Sequence, residues 1–233
     1  MEIGPGKGAL TEYLLPRARR VIAVEIDRVM VHYLQNRFRE QIAAQKLTIL
    51  NQDILKTGLR DFGPHIVAGN LPYYITSPIL DKVFASGDAW QRGVFLVQKE
   101  VAERIAAKPG SRDYGYLSVQ AHLFSQPEIL FTVSKGAFRP PPKVESAVFR
   151  LTPLTPPVRE TRQFLDFASI CFRQKRKTLR NNLLTRYAKD AIDALPHPGN
   201  IRAEQLSIEQ LVGIWNQLAG REITTSHGDG EES

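Results

Sequence analysis

Asn70-Leu71-Pro72-Tyr73 is the stretch of this chain whose residue types and spacing best suit a particular chemistry. It follows His65-Ile66-Val67-Ala68-Gly69, an apolar run that reads as a buried parallel strand. An amide, a proline and an aromatic ring at the end of such a strand suit methylation of a nitrogen on a planar base. The Asn70 amide oxygen and the Leu71 carbonyl can accept hydrogen bonds from an exocyclic amine, and Tyr73 can stack on the ring. Pro72 fixes φ and lacks an N–H, which stiffens the turn and is expected to leave its carbonyls facing outward. An ordinary strand-ending turn would use the same residues, so the reading depends on what lies upstream.

Glu2-Ile3-Gly4-Pro5-Gly6-Lys7-Gly8 lies near the start. Glycines just behind a strand let the backbone bend tightly and approach a ligand with no Cβ in the way. The spacing is G-x-G-x-G, not the G-x-G-x-x-G of dinucleotide binders. A second strand, Val21-Ile22-Ala23-Val24, ends in Glu25-Ile26-Asp27. Glu25 lies about 20 positions past the glycines, where an acidic residue can hold ribose hydroxyls. A third, Leu47-Thr48-Ile49-Leu50, leads into Gln52-Asp53-Ile54. Asp53 can accept from an adenine amine while Ile54 lies against the ring. Three acidic or amide groups at three successive strand ends point to a ligand edge, because open α/β sheets bind there.

The elements that must position these groups follow from periodicity. Residues 1–153 alternate apolar runs with helical patterns, as an α/β sheet requires. A first helix ends near Pro16. A second runs from Arg28 to Ile42, with Val29, Leu34, Phe38 and Ile42 on one face. Ser77-Pro78 reads as an N-cap with proline at the first helical position of a helix reaching Phe84. Gly93–Val97 is a strand and Lys99–Ala107 a helix. Residues 108–115 form a loop, and Leu117–Phe124 a helix. Ile129–Val133 and Val144–Leu151 are the last strands, with a proline-rich hinge from Phe138 to Pro142 between them. Three prolines within residues 153–157 mark a linker. Beyond it Thr161–Phe172, Thr178–Lys189 and Ile208–Ala219 read as helices, the last with a Ser207–Gln210 capping box. A helical domain is therefore expected over residues 158–222, and a disordered polar tail over 224–233.

Composition narrows the class. The chain has 233 residues, 42% hydrophobic and 24% charged, as in a globular protein. No apolar run reaches membrane-spanning length. The single Cys171 excludes an internal disulfide, and the five histidines show no ligand spacing, so no metal is expected. A net charge of +7 favours polyanionic partners. Arg173, Lys175, Arg176, Lys177 and Arg180 concentrate that charge beside Phe172. A solvated helix face is the plain reading of such a run, and nucleic-acid contact the functional one.

The combined blocks resemble the ribosomal small-subunit RNA adenine dimethyltransferase family. They are Glu-Ile-Gly-Pro-Gly-Lys-Gly-Ala-Leu-Thr at 2–11, Val-Glu-Ile-Asp at 24–27, Gln-Asp-Ile at 52–54 and Asn-Leu-Pro-Tyr-Tyr-Ile at 70–75. Gln-Lys-Glu-Val-Ala-Glu-Arg at 98–104, Phe-Arg-Pro-Pro-Pro-Lys-Val-Glu-Ser at 138–146 and Phe-Arg-Gln-Lys-Arg-Lys-Thr-Leu-Arg-Asn-Asn at 172–182 follow in order. The resemblance implies a Rossmann-like class I methyltransferase sheet with a smaller C-terminal all-helical domain, and S-adenosyl-L-methionine as cofactor. It implies dimethylation of the exocyclic amines of two adjacent adenosines near the 3′ end of small-subunit (16S) rRNA. Asn70, Leu71, Pro72 and Tyr73 are then catalytic. Gly4, Gly6, Glu25, Ile26, Asp53, Ile54 and Asn70 hold the cofactor. Arg139, Lys143, Phe172, Arg173, Lys175, Arg176, Lys177 and Arg180 meet RNA. The expected partner is small-subunit rRNA or its precursor particle, met by a cytoplasmic monomer with no membrane contact. Family members carry a basic arm and a helix ahead of the glycine loop, so this chain is expected to be a shortened form. A large-subunit rRNA adenine methylase and a non-catalytic ribosome-assembly factor share parts of the pattern. Methylation of a free amide or of DNA adenine shares only the turn.

Overall fold

The computed structural model describes residues 1–72, 74–139, 141–196 and 199–221. Two compact units divide the chain. Residues 1–106 and 124–155 form one, and residues 107–123 with those from 156 onward form the other. The segment 107–123 thus groups with the C-terminal helices, a partition that the linear reading into 1–153 and 158–222 did not include.

The first unit is built on a seven-stranded sheet. In chain order the strands are β1 (Glu2–Ile3), β2 (Val21–Glu25), β3 (Leu47–Asn51), β4 (His65–Asn70), β5 (Trp90–Gln98), β6 (Ser125–Val133) and β7 (Ser146–Pro153). In space the order is β3-β2-β1-β4-β5-β7-β6. The first five are parallel, and β7 runs antiparallel between β5 and β6. Strand order reverses between β1 and β4, which is the crevice where open α/β sheets take ligands. The helices of this unit are α1 (Ala9–Leu14), α2 (Arg28–Arg37), α3 (Arg39–Ala43), α4 (Thr76–Ala85) and α5 (Lys99–Ala106). Val21 and Ala23 of β2 and Leu47 of β3 pack with Leu15, Leu34 and Phe38 into a core on one sheet face.

Several elements depart from their expected form. β4 is not wholly buried: Val67 and Gly69 are, whereas Ile66 is half exposed. The helix expected over Arg28–Ile42 breaks at Phe38, whose φ/ψ of −113°/31° leaves the helical region. Its ring packs beneath the glycine loop: a Cβ on Gly8 would lie 2.5 Å from Phe38 Cε2. Tertiary packing therefore overrides the local pattern at this point. Val31 and Leu34 carry the buried face of α2, and Val29 is exposed. α4 begins at Thr76 rather than at a Ser77 cap, with the Thr76 hydroxyl donating to the Pro72 carbonyl at 3.3 Å. Pro78 still falls in the first turn, where its missing N–H costs no helical bond. β6 starts at Ser125 and includes Pro127, tolerated because this strand lies at the sheet's outer edge.

The second unit is helical, with α6 (Tyr116–Phe124) leading out of its 107–123 segment and α7 (Thr161–Cys171), α8 (Leu179–Leu183), α9 (Lys189–Asp193) and α10 (Ile208–Leu218) following. Phe164 meets Trp215 edge-on at 5.9 Å, and Phe167 meets Tyr187 in the same way at 6.3 Å. The helix expected over Thr178–Lys189 stops at Leu183, and a second short helix begins only at Lys189. Arg180 of α8 joins them by bonds of 3.0 and 2.7 Å to Asp193 Oδ1 of α9. Ser207 and Gln210 form the expected capping box on α10. The tail over 224–233 lies outside the described residues.

Candidate active site

Parallel register brings the expected ligand groups to one edge. Ile3 pairs with Val24 on one side and with Gly69 on the other, so Gly4, Glu25 and Asn70 leave the sheet at the same level. Glu25 pairs with Asn51, and Asp53 follows two residues on. The carboxyl ends of β3, β2, β1 and β4 are adjacent in the sheet. They therefore present Asp53, Glu25, Gly4 and Asn70 in a row. Tyr73 lies outside the described residues.

The glycine loop is shaped for close approach. Gly4, Gly6 and Gly8 have φ of +64°, +55° and +80°. At Gly4 and Gly6 an added Cβ would meet nothing within 4 Å, so open space lies over both. At Gly8 the same Cβ would strike Phe38 and Leu34. The first two glycines thus leave room for a ligand, and the third lets α2 pack closely.

Glu25 ties this loop to its strand. Oε2 accepts from Gly6 N–H and Oε1 from Asp27 N–H, each at 3.0 Å. Each oxygen keeps a further lone pair for a ribose hydroxyl. Asp27 caps α2, its Oδ1 accepting from Val29 N–H at 2.7 Å, which leaves Ile26 exposed at the rim. Asp53 Oδ1 accepts from Leu55 N–H at 2.9 Å, and Ile54 beside it is buried.

The acceptor side centres on Asn70, which ends β4 and is exposed. Leu71 is buried and its N–H donates to the Leu96 carbonyl at 3.0 Å, which anchors the turn to β5. The Pro72 carbonyl is turned inward, accepting from Ile75 N–H at 3.1 Å as well as from Thr76. At Pro72 that corrects the expectation of outward carbonyls, because this one closes the turn leading into α4, whose own first acceptor is the Ile75 carbonyl. Among the described residues nothing donates to the Asn70 side chain or to the Leu71 carbonyl.

Four supporting residues escaped the sequence reading. Asn51 Nδ2 donates to the carbonyls of Glu25 and Ile26 at 3.0 and 3.1 Å, holding the end of β2. Its place beside Gln52-Asp53 was the one signal that pointed to it. Glu2 is 1% exposed and accepts from the Thr11 hydroxyl at 2.7 Å under the glycine loop. Burial raises its carboxyl above the ordinary value, and the Thr11 bond opposes that shift. Arg37 donates to the Lys7 carbonyl at 2.6 Å and pairs with Glu12. Asn182, buried in the second unit, donates to the Cys171 carbonyl at 2.8 Å and accepts from Gln174 N–H at 3.2 Å.

From Arg173 to Lys177 the basic run is a loop between α7 and α8, not a helix face, and Asn182 pins it, whereas Arg180 lies in α8. Arg173, Lys175, Arg176 and Lys177 are exposed on it. Lys175 donates to the Arg112 carbonyl, and Arg180 is held by Asp193. Phe172 is half-buried and meets Tyr114 edge-on at 5.9 Å. Burial raises the Cys171 thiol well above its ordinary value, which keeps it protonated and inert. Arg139 and Lys143 are exposed in the first unit, between β6 and β7.

The parallel sheet, the open glycine loop and the carboxylates at successive strand ends define an S-adenosylmethionine-dependent methyltransferase. The sequence pattern of the ribosomal RNA adenine dimethylases matches residues 1–220, and the chain belongs to that family. The ribosomal RNA small subunit methyltransferase A of Acidobacterium capsulatum is 45% identical over 234 residues, covering 95% of this chain and 81% of that protein. Its namesake from Koribacter versatilis is 41% identical over 242 residues, covering 94% and 84%. Among solved structures, a dimethyladenosine transferase from Plasmodium falciparum superposes with a TM-score of 0.76 at 26% identity, covering 95% of this chain and 90% of that one. The 23S rRNA methyltransferase ErmE gives 0.70 at 26% identity, covering 94% and 89%.

Proposed function

We propose that this chain transfers methyl groups from S-adenosylmethionine to the exocyclic amines of two adjacent adenosines near the 3′ end of small-subunit rRNA. It would act in the cytoplasm, as a monomer, on the small-subunit particle. The observation that carries the reading is the row at one sheet edge: Asp53, Glu25 and Gly4 on one side and Asn70 beside them.

The cofactor's sulfonium supplies an electrophilic methyl group. Gly4 and Gly6 would let it approach the backbone, Glu25 would hold its ribose, and Asp53, Ile26 and Ile54 its adenine. The target nitrogen is a poor nucleophile because its lone pair is delocalised into the ring. Asn70 Oδ1 and the Leu71 carbonyl would accept hydrogen bonds from its N–H groups and favour a more tetrahedral nitrogen. The methylated nitrogen is cationic and acidic, so its proton can leave to water without a strong base. Catalysis is thus mainly positioning and electrostatics. A paired adenine cannot present this amine, so the base must be unstacked, with Tyr73 as its platform.

The test is methylation of small-subunit particles lacking these methyl groups, with large-subunit RNA in parallel. Labelled methyl should appear as N6,N6-dimethyladenosine at both small-subunit adenosines. Label confined to large-subunit RNA would instead support the activity named for ErmE. Particle binding without transfer would support an assembly factor.

A further inference from the structure

A cleft of about 840 Å³ opens in the first unit. Its walls include Gln98 at the end of β5, Lys99 and Glu103 in α5, Ser134 and Lys135 after β6, and Glu145 before β7. Strand register fixes its place. Gln98 and Val133 both pair with Ser146, whereas Asn70 lies beside Leu96, two residues back along β5. At about 4.8 Å between strands, the cleft begins roughly 5–10 Å along the rim from Asn70. That is the reach of a single nucleotide step. It lies on the far side of Asn70 from Gly4, Glu25 and Asp53. Asn70 therefore stands between two halves of one edge.

The cleft has the size of a small-ligand site, about 300–1,000 Å³. Its chemistry selects among ligands. Lys99 Nζ is paired with Glu145 Oε2 at 3.0 Å, and Lys99 N–H donates to the Glu145 carbonyl at 3.0 Å, so this wall is fixed and neutralised. The Gln98 amide, the Ser134 hydroxyl, the Glu100 and Glu103 carboxylates and the Lys135 ammonium remain. A carboxylate repels phosphate and accepts from amines, which favours a base over a sugar–phosphate segment. An amide such as that of Gln98 can pair in bidentate fashion with adenine N6 and N7. Lys135, on the opposite wall, suits a phosphate at the lip.

We propose that this cleft holds the adenosine next to the target while the target lies at Asn70. The inference rests on the methylation reading above and adds a second base site to it. Because the cleft lies to one side, only one of two adjacent adenosines has its neighbour seated when it reaches Asn70. That adenosine is methylated first.

The experiment uses the full chain and short single-stranded RNAs. Each carries a target adenosine, with adenosine or uridine placed on either side in turn. Fluorescence anisotropy should show at least a tenfold preference for a neighbouring adenosine on one side. Gln98→Ala combined with Glu103→Ala should reduce that preference below twofold. Calorimetric binding of S-adenosylmethionine should stay unchanged, which shows that the variant is folded. Equal affinity for adenosine and uridine neighbours in the unmodified chain, or a preference that survives in the variant, overturns the proposal. A preserved preference in a chain that transfers no methyl group would remove the function proposed above and leave the cleft as an adenosine site.

Discussion

Asn70 and Glu25 meet different demands on the same rim. Glu25 has both oxygens on backbone N–H groups, so it shapes the loop before any ligand arrives. Asn70 has no such partner among the described residues, and its amide is exposed to an incoming amine. Asn70→Ala should therefore lower turnover on the order of 100-fold, as removal of an aimed polar group does. RNA affinity should change by less than threefold, and initial rates set beside filter binding separate the two effects. Equal decreases in both would make Asn70 structural. Glu2 carries a different prediction. Its folded carboxyl keeps its proton above the ordinary value of 4.5. The folded state thus binds more protons than the unfolded state above that pH, and stability falls as pH rises through the window. Glu2→Gln keeps an acceptor for Thr11 and removes the titration. Thermal melts should show the variant gaining on the parent as pH rises from the ordinary value of 4.5.

At the scale of elements, the glycine loop and α2 are fitted to each other. Gly8→Ala would combine a positive φ with a clash against Phe38 and Leu34. Left-handed strain costs about 1–2 kcal/mol and overpacking about 1–3 kcal/mol. Gly4→Ala carries the first cost alone, since open space surrounds it. Denaturant melts should rank Gly8→Ala as the less stable variant. Calorimetry should rank Gly4→Ala as the weaker cofactor binder, because its new methyl fills the approach. These elements also mark how far the sequence could be read. The strand ends bearing Glu25, Asp53 and Asn70 were legible because apolar runs close on polar residues. The capping box at Ser207 was legible because it is local. The break at Phe38 was not, because its cause is a ring seated under a loop about 30 residues earlier. The division of α8 from α9 was not legible either, and Arg180 and Asp193, which join the two helices, lie far apart in the chain. Asn51 and Asn182 act through backbone carbonyls of distant residues; only the place of Asn51 beside Gln52-Asp53 hinted at the first, and nothing in the chain announces the second.

For the whole molecule, charge decides how RNA is met. The net charge of +7 sets a general attraction, and the loop after α7 concentrates it. Replacing Lys175, Arg176 and Lys177 by alanine should weaken RNA binding. The log–log salt slope should fall by roughly 0.7–0.9 for each phosphate that these cations no longer neutralise. Melting should be little altered, because Asn182 holds the loop backbone from a buried position and the bond lost, from Lys175 to the Arg112 carbonyl, is exposed. An unchanged slope would remove the loop from the interface.

The outer strand β6 has a consequence for the protein in concentrated solution. From Ile129 to Val133 it carries no charge and no proline, and Ile129, Leu130 and Phe131 are exposed. Its free backbone row is the kind of template on which chains aggregate. The irregularity between Ile129 and Phe131 interrupts that row, and the Glu128–Arg150 pair guards one end. Once warming loosens β6 from β7 these guards fail, and light scattering should rise before the helical unit has melted. Phe131→Lys should delay that turbidity without altering methyl transfer.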